Sequence, residues 1–195
     1  MPSAEFERFE TQQHWHVWLH RNGQRSDGVW LEIAKKGASF STVSYSEAVE
    51  TALCWGWIDG QKGSIDEHRW KQRFTPRRPK SLWSAINVKK VEALIAAGKM
   101  QPAGLLEVER AKADGRWTVA YASPSQAKVP DDLLAALDAS PRARKRFDAL
   151  DATNRYAILF RVTTAKKAES RARRIEGFVK DLAKGVVPYP DRVKK

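Results

Sequence analysis

Between Arg69 and Lys80 the chain places six cations (Arg69, Lys71, Arg73, Arg77, Arg78 and Lys80) and no carboxylate. Side chains of that type at that density suit a partner bearing negative charge, such as a phosphate or carboxylate, which a guanidinium grips through parallel N–H donors. The surrounding stretch, Cys54 to Trp83, also holds four of the eight tryptophans. Arg73, Thr75, Arg77, Arg78 and Lys80 are the candidate anion-binding residues, and Trp57 and Trp83 offer rings on which a planar group can stack. Asp59 is the one candidate acid, lying between aromatics and near cations that favour its ionised form. Asp59-Gly60 is equally the sequence of a tight turn, and a lone carboxylate specifies no reaction. The basic run has its own plain alternative, a solvated charged loop.

Other chemistries find less in this sequence. His16 and His20 stand four apart on an expected helix, a spacing at which two imidazoles can share an ion, but no carboxylate completes an HExxH pattern and no third ligand is near. The expectation is polar helix surface, with no metal and no cofactor. Cys54 falls beside Leu53 and Trp55 at a helix end, a core position and not the electropositive setting that activates a thiol. The chain has no GxSxG, no phosphate-cradling glycine loop and no CxxC.

The elements that must position these residues follow from periodicity and punctuation. If Arg69 to Thr75 is a strand, its period of two sends Arg69, Lys71, Arg73 and Thr75 to one face and Trp70, Gln72 and Phe74 to the other. Val29, Leu31 and Ile33 alternate with Trp30, Glu32 and Ala34 as a half-buried strand does. A third short strand is expected at 57–59, turning at Asp59-Gly60. Helices are expected from Gln12 to about Arg21 behind the N-cap Thr11, from Tyr45 behind a Ser44/Glu47 capping box, from near Ser84 to Gly98, and from Pro102 to Gly115. Pro76 and Pro79 bracket a rigid turn between the basic strand and the third helix.

Beyond residue 120 no strand pattern returns. Residues 121–129 read as a linker. Helical stripes follow through Leu133, Leu134 and Leu137, then Ala143, Phe147 and Leu150, then Tyr156, Leu159 and Phe160, then Ala168, Ala172, Ile175, Val179 and Leu182. The expected fold class is α+β: a small, mainly antiparallel sheet with helices in an N-terminal domain at 1–120, an all-helical domain at 130–187, and a basic tail at 188–195.

Composition bounds the partners. With 42% hydrophobic residues over 195 positions a metal-free, disulfide-free core is within reach. Thirty-five basic against 23 acidic residues give a net charge of +12, which attracts anionic partners over a distance without naming one. No stretch approaches the roughly 20 apolar residues of a membrane span. Residues 1–10, MPSAEFERFE, lack the apolar core of an export signal, and a single cysteine cannot pair within the chain, so a cytoplasmic address is expected.

The strings GWIDG at 56–60, RFTPRRPKSLWSAIN at 73–87 and VEALIAAGKMQPAG at 91–104 resemble the N-terminal part of the YdeI/OmpD-associated family, also called bacteriocin-protection proteins. VPDDLLAALDASPRARKRF and AKKAESRARRIEGFV resemble that family's small helical domain. The resemblance implies a role in stress or bacteriocin tolerance and brings no catalytic residues. Three functions remain open: a non-enzymatic module binding an anionic partner, nucleic acid among them; an enzyme using Asp59 and Arg73 on a small acidic or phosphorylated substrate; and an adaptor docking a protein partner through its C-terminal helices. The ligand, any catalytic activity and the oligomeric state are not specified by these residues.

Overall fold

The computed structural model describes residues 6–190, and the chain divides into two compact units, Met1–Thr118 and Val119–Lys195. Of the expected basic tail, residues 191–195 lie outside the described residues. The fold is α+β, with every strand among the described residues in the first unit.

In the first unit the described chain runs β1 (Phe6–Glu7), α1 (Gln12–Asn22), β2 (Val29–Ala34), α2 (Tyr45–Cys54), β3 (Trp57–Ser64), β4 (Arg69–Pro76), α3 (Ala85–Ala96) and α4 (Pro102–Ala113). Local chemistry sets the helix starts. Thr11 caps α1 through the His14 amide, Ser44 and Glu47 form a reciprocal capping box on α2, and Ser84 caps α3 through the Asn87 amide. The sheet order is β1-β2-β4-β3, with β1 parallel to β2 and the other pairs antiparallel, so the sheet is mixed.

The expected turn at Asp59-Gly60 does not form. β3 runs on to Ser64, and the register against β4 shifts between Asp59 and Lys62 instead. The reason lies on β4: the buried Gln72 amide donates to the carbonyls of Gly60, Gln61 and Arg73, satisfying the backbone that the bulge frees.

The inner face of the sheet carries the weight of the core. Val29, Leu31 and Ile33 of β2 stand opposite Phe74, Gln72 and Trp70 of β4. Trp15 of α1 packs on Phe74 at a 5.7 Å centroid separation and edge-on to Trp57 at 6.2 Å. Each buried indole N–H of this pair has a carbonyl, Ala48 for Trp15 and Gly23 for Trp57. α4 crosses the end of α2 so closely that a Cβ on Gly104 would lie 2.2 Å from the Cys54 carbonyl oxygen. All eight tryptophans fall in this unit.

The outer face is built the opposite way. The alternation puts Trp30, Glu32 and Ala34 beside Arg73, Lys71 and Arg69. Glu32 is 2% exposed, yet it is on the outward side, covered by two guanidiniums: Arg8 donates to both of its oxygens at 3.0 and 2.8 Å, and Arg69 to one at 3.1 Å. Burial is the largest influence on this carboxyl and pushes its pKa up. The Arg8 and Arg69 hydrogen bonds and charges outweigh it and hold the group below the usual carboxylate range. The clamp also ties the two-residue strand β1, which precedes Arg8, to a sequence position 24 residues away.

The second unit holds α5 (Asp131–Asp138), α6 (Pro141–Asp148), α7 (Ala152–Thr163) and α8 (Ala168–Ala183). As the four apolar stripes require, Leu133, Leu137, Ala143, Phe147, Ile158, Leu159, Val162, Ile175 and Leu182 form one buried cluster. Phe160, expected in that core, is only half-buried and packs edge-on to Tyr121 at 4.9 Å. The buried Asn154 side chain links the start of α7 to the segment after α8, donating to Asp151 and the Tyr189 carbonyl and accepting from the Tyr189 amide.

Two outcomes test this architecture. Phe147→Ala should cost about 3–5 kcal/mol, seen as a lower melting temperature by circular dichroism, because the ring is fully buried. Glu32→Gln should cost on the order of 2 kcal/mol at neutral pH. Since the folded pKa of Glu32 lies below its unfolded value, its contribution is full above the unfolded pKa and is lost as pH falls through the folded one. The wild-type advantage over Glu32→Gln should therefore shrink on acidification, which paired denaturation curves across the acid range will measure.

Candidate functional site

The six-cation run lies on β4 and the loop behind it, and the structure divides it between two roles. Arg69, Lys71 and Arg73 stand on the outer sheet face as the alternation requires. Arg78 and Lys80 are exposed on the loop, and Thr75 is half-buried at the end of β4.

Arg77, Trp83 and Trp57 correct the expected site. Arg77 is only 6% exposed, lies 3.5 Å over the Trp83 ring and donates to the Leu82 carbonyl. Trp83 is 2% exposed and meets Trp117 edge-on at 4.8 Å, while Trp57 is 2% exposed beneath α1. Neither indole presents a face to a ligand. The loop between Pro76 and Ser84 is thus anchored by a cation–π stack in a water-poor site, where such contacts are strongest. Arg116 supports it, donating to Asp114 and the Ser81 carbonyl.

Asp59 and Arg73 do not meet either. Asp59 is in register with Phe74 and accepts from the Tyr45 hydroxyl of α2 at 2.7 Å, so it serves the side of the sheet on which α2 packs. Arg73, the preceding residue on β4, belongs to the other face. The alternation of one strand therefore sends Asp59 and Arg73 to opposite faces of the sheet, where they do not share a pocket.

What the sheet does assemble is a face that the run alone did not reveal. Trp30, half-buried, sits in register with Phe6 on one side and Arg73 on the other. Lys71 Nζ lies 5.1 Å and the Arg73 guanidinium 6.0 Å from its ring centroid. Arg69 is 5.8 Å over the Phe6 ring, and Arg8 is 4.5 Å over Phe40. Against these four cations the outward-facing paired positions carry one carboxylate, Glu32, which Arg8 and Arg69 already hold, and Arg69 also holds Asp66 just before β4. Among the described residues Lys71 and Arg73 have no ion pair. The available cue was Trp30 itself, a tryptophan on the polar phase of a strand whose other phase is Val29, Leu31 and Ile33.

The remaining candidates take structural places. His16 and His20 flank the Trp55 ring at 5.4 and 5.6 Å, and His16 Nδ1 accepts the Trp55 indole N–H. Burial pushes the Cys54 thiol up to about 11, helped by Glu50, so the thiolate is scarce at neutral pH. In the second unit a groove of about 790 Å³ opens between α5 and α8, walled by Ala136, Ala139, Ala172, Ile175 and Val179 with Lys180 among its charged residues. No helix among the described residues is long and apolar enough to cross a membrane.

Comparison with known proteins assigns each half of the chain. Residues 7–107 match a family described as a Domain of unknown function (DUF8412), and this stretch contains all three N-terminal motifs, GWIDG among them. Residues 126–185 match the family described as Bacteriocin-protection, YdeI or OmpD-Associated, which spans α5 to α8. No curated protein and no solved structure matches the chain. The chain therefore belongs to the family of this domain of unknown function and carries behind it, at residues 126–185, a domain of the family described as Bacteriocin-protection, YdeI or OmpD-Associated.

Proposed function

We propose that the N-terminal unit binds a phosphate-bearing polyanion on the outer face of its sheet. The observation that carries this reading is the charge balance of that face: Arg8, Arg69, Lys71 and Arg73 against Glu32 and Asp66, both of which are already held, Glu32 by Arg8 and Arg69 and Asp66 by Arg69. Glu32 consumes much of Arg8 and Arg69 and leaves Lys71 and Arg73 to meet incoming phosphates. Exposed Arg78 and Lys80, on the loop after β4, add to the attraction, as does the net charge of +12. The description of the domain matched at residues 126–185 supports a role for the protein in bacteriocin protection. The single cysteine, buried and unpaired, agrees with a cytoplasmic setting.

A second reading rests on the α5/α8 groove: the C-terminal unit is an adaptor that seats the apolar face of an amphipathic partner helix. Alanine walls let a helix approach closely, and Lys180 suits a carboxylate on its flank.

Each reading has its measurement. Binding of heparin and of labelled duplex DNA should be salt-dependent, and changing Lys71 and Arg73 to alanine should lower the slope of log K against log salt on the duplex by about 0.9 for each charge removed. Equal slopes for wild type and the double variant would move the contact elsewhere. For the groove, anilinonaphthalene sulfonate should fluoresce on binding the folded protein, and Ala172→Trp should suppress that signal without lowering the melting temperature.

A further inference from the structure

We infer that the polyanion is single-stranded nucleic acid and that Trp30 is the platform on which one of its bases stacks. This deepens the polyanion reading and rests on it. A duplex offers its phosphates but keeps its base faces within its own stack, whereas a single strand offers both. The outer sheet face is equipped for both at once. Trp30 stands between Phe6 and Arg73 in one cross-strand row, with Lys71 and Arg73 within 6.0 Å of its ring centroid. Those two cations have no ion pair among the described residues. A phosphate that recruits them draws their charge off the ring, and a base face takes the vacated contact. Both partners of the site are thus satisfied in the free state and both exchange their contacts on binding.

The same geometry sets the selectivity. The side chains around Trp30 on this face are mainly cations and rings beside the clamped Glu32, with no Asn or Gln among the paired outer positions to read an adenine edge. Binding is accordingly tolerant of sequence, as stacking on a π-face is for every base. Trp83 and Trp57 are excluded from the role by their burial.

The test titrates labelled oligo-dT, a duplex of equal length and heparin with wild type, Trp30→Ala, Trp30→Phe and Lys71→Ala/Arg73→Ala, at two salt concentrations. Trp30→Ala should weaken oligo-dT binding about tenfold or more and leave the duplex and heparin within twofold. Trp30→Phe should fall between, while the double variant should weaken all three. In wild type, oligo-dT should quench tryptophan fluorescence more than heparin does at equal saturation, which keeps the test alive should Trp30→Ala fail to fold. Unchanged oligo-dT affinity in a folded Trp30→Ala, or equal quenching by the two ligands, overturns the stacking role while the polyanion reading stands on the double variant. Failure of wild type to bind any of the three at low salt overturns both.

Discussion

The alternation of a single strand governs most of what this protein can do. Gln72 and Phe74 of β4 must face α1 and α2, one to hold the β3 bulge and the other to complete the tryptophan core. Lys71 and Arg73 are then obliged to face away. A slip of one residue would bury the three charges Arg69, Lys71 and Arg73 and expose Trp70 and Phe74, so the register is strongly specified. The charge of the outer face is therefore secured by the apolar packing of the inner one. Glu32 makes it tolerable by relieving the repulsion between Arg8 and Arg69.

The legible parts of the fold are those decided locally. Thr11, Ser44 and Ser84 cap their helices through atoms three residues away, and a sequence displays such pairs openly. The four C-terminal stripes announce their common core in the same way. Distant partners were not legible. β1 is two residues long and depends on a clamp to Glu32, which nothing near Phe6 reveals. Asp59-Gly60 has the chemistry of a turn, but an amide twelve residues away holds the chain extended. Arg77 reads as one more cation on a basic loop, and only the arrival of Trp83 beneath it turns it into an anchor. The same run of charges thus mixes an outward cationic surface with part of the scaffold, and spacing does not separate the two.

The two family matches fall on units of different chemical character. The N-terminal one presents cations around an indole on a flat sheet, and the C-terminal one presents small apolar walls between two helices. Salt weakens contacts of the first kind, while apolar burial survives it. Any contacts made on the two surfaces would therefore respond to ionic strength in opposite ways.

The confinement of every tryptophan to the first unit has a spectroscopic consequence. Selective indole excitation sees the N-terminal sheet and its helices and is blind to α5 through α8, whose one tyrosine is Tyr156. Far-ultraviolet circular dichroism, by contrast, weighs both units. If the two melt together, the optical transitions coincide; if each melts on its own, they part, and the order of the loss can be read without a label or an engineered probe.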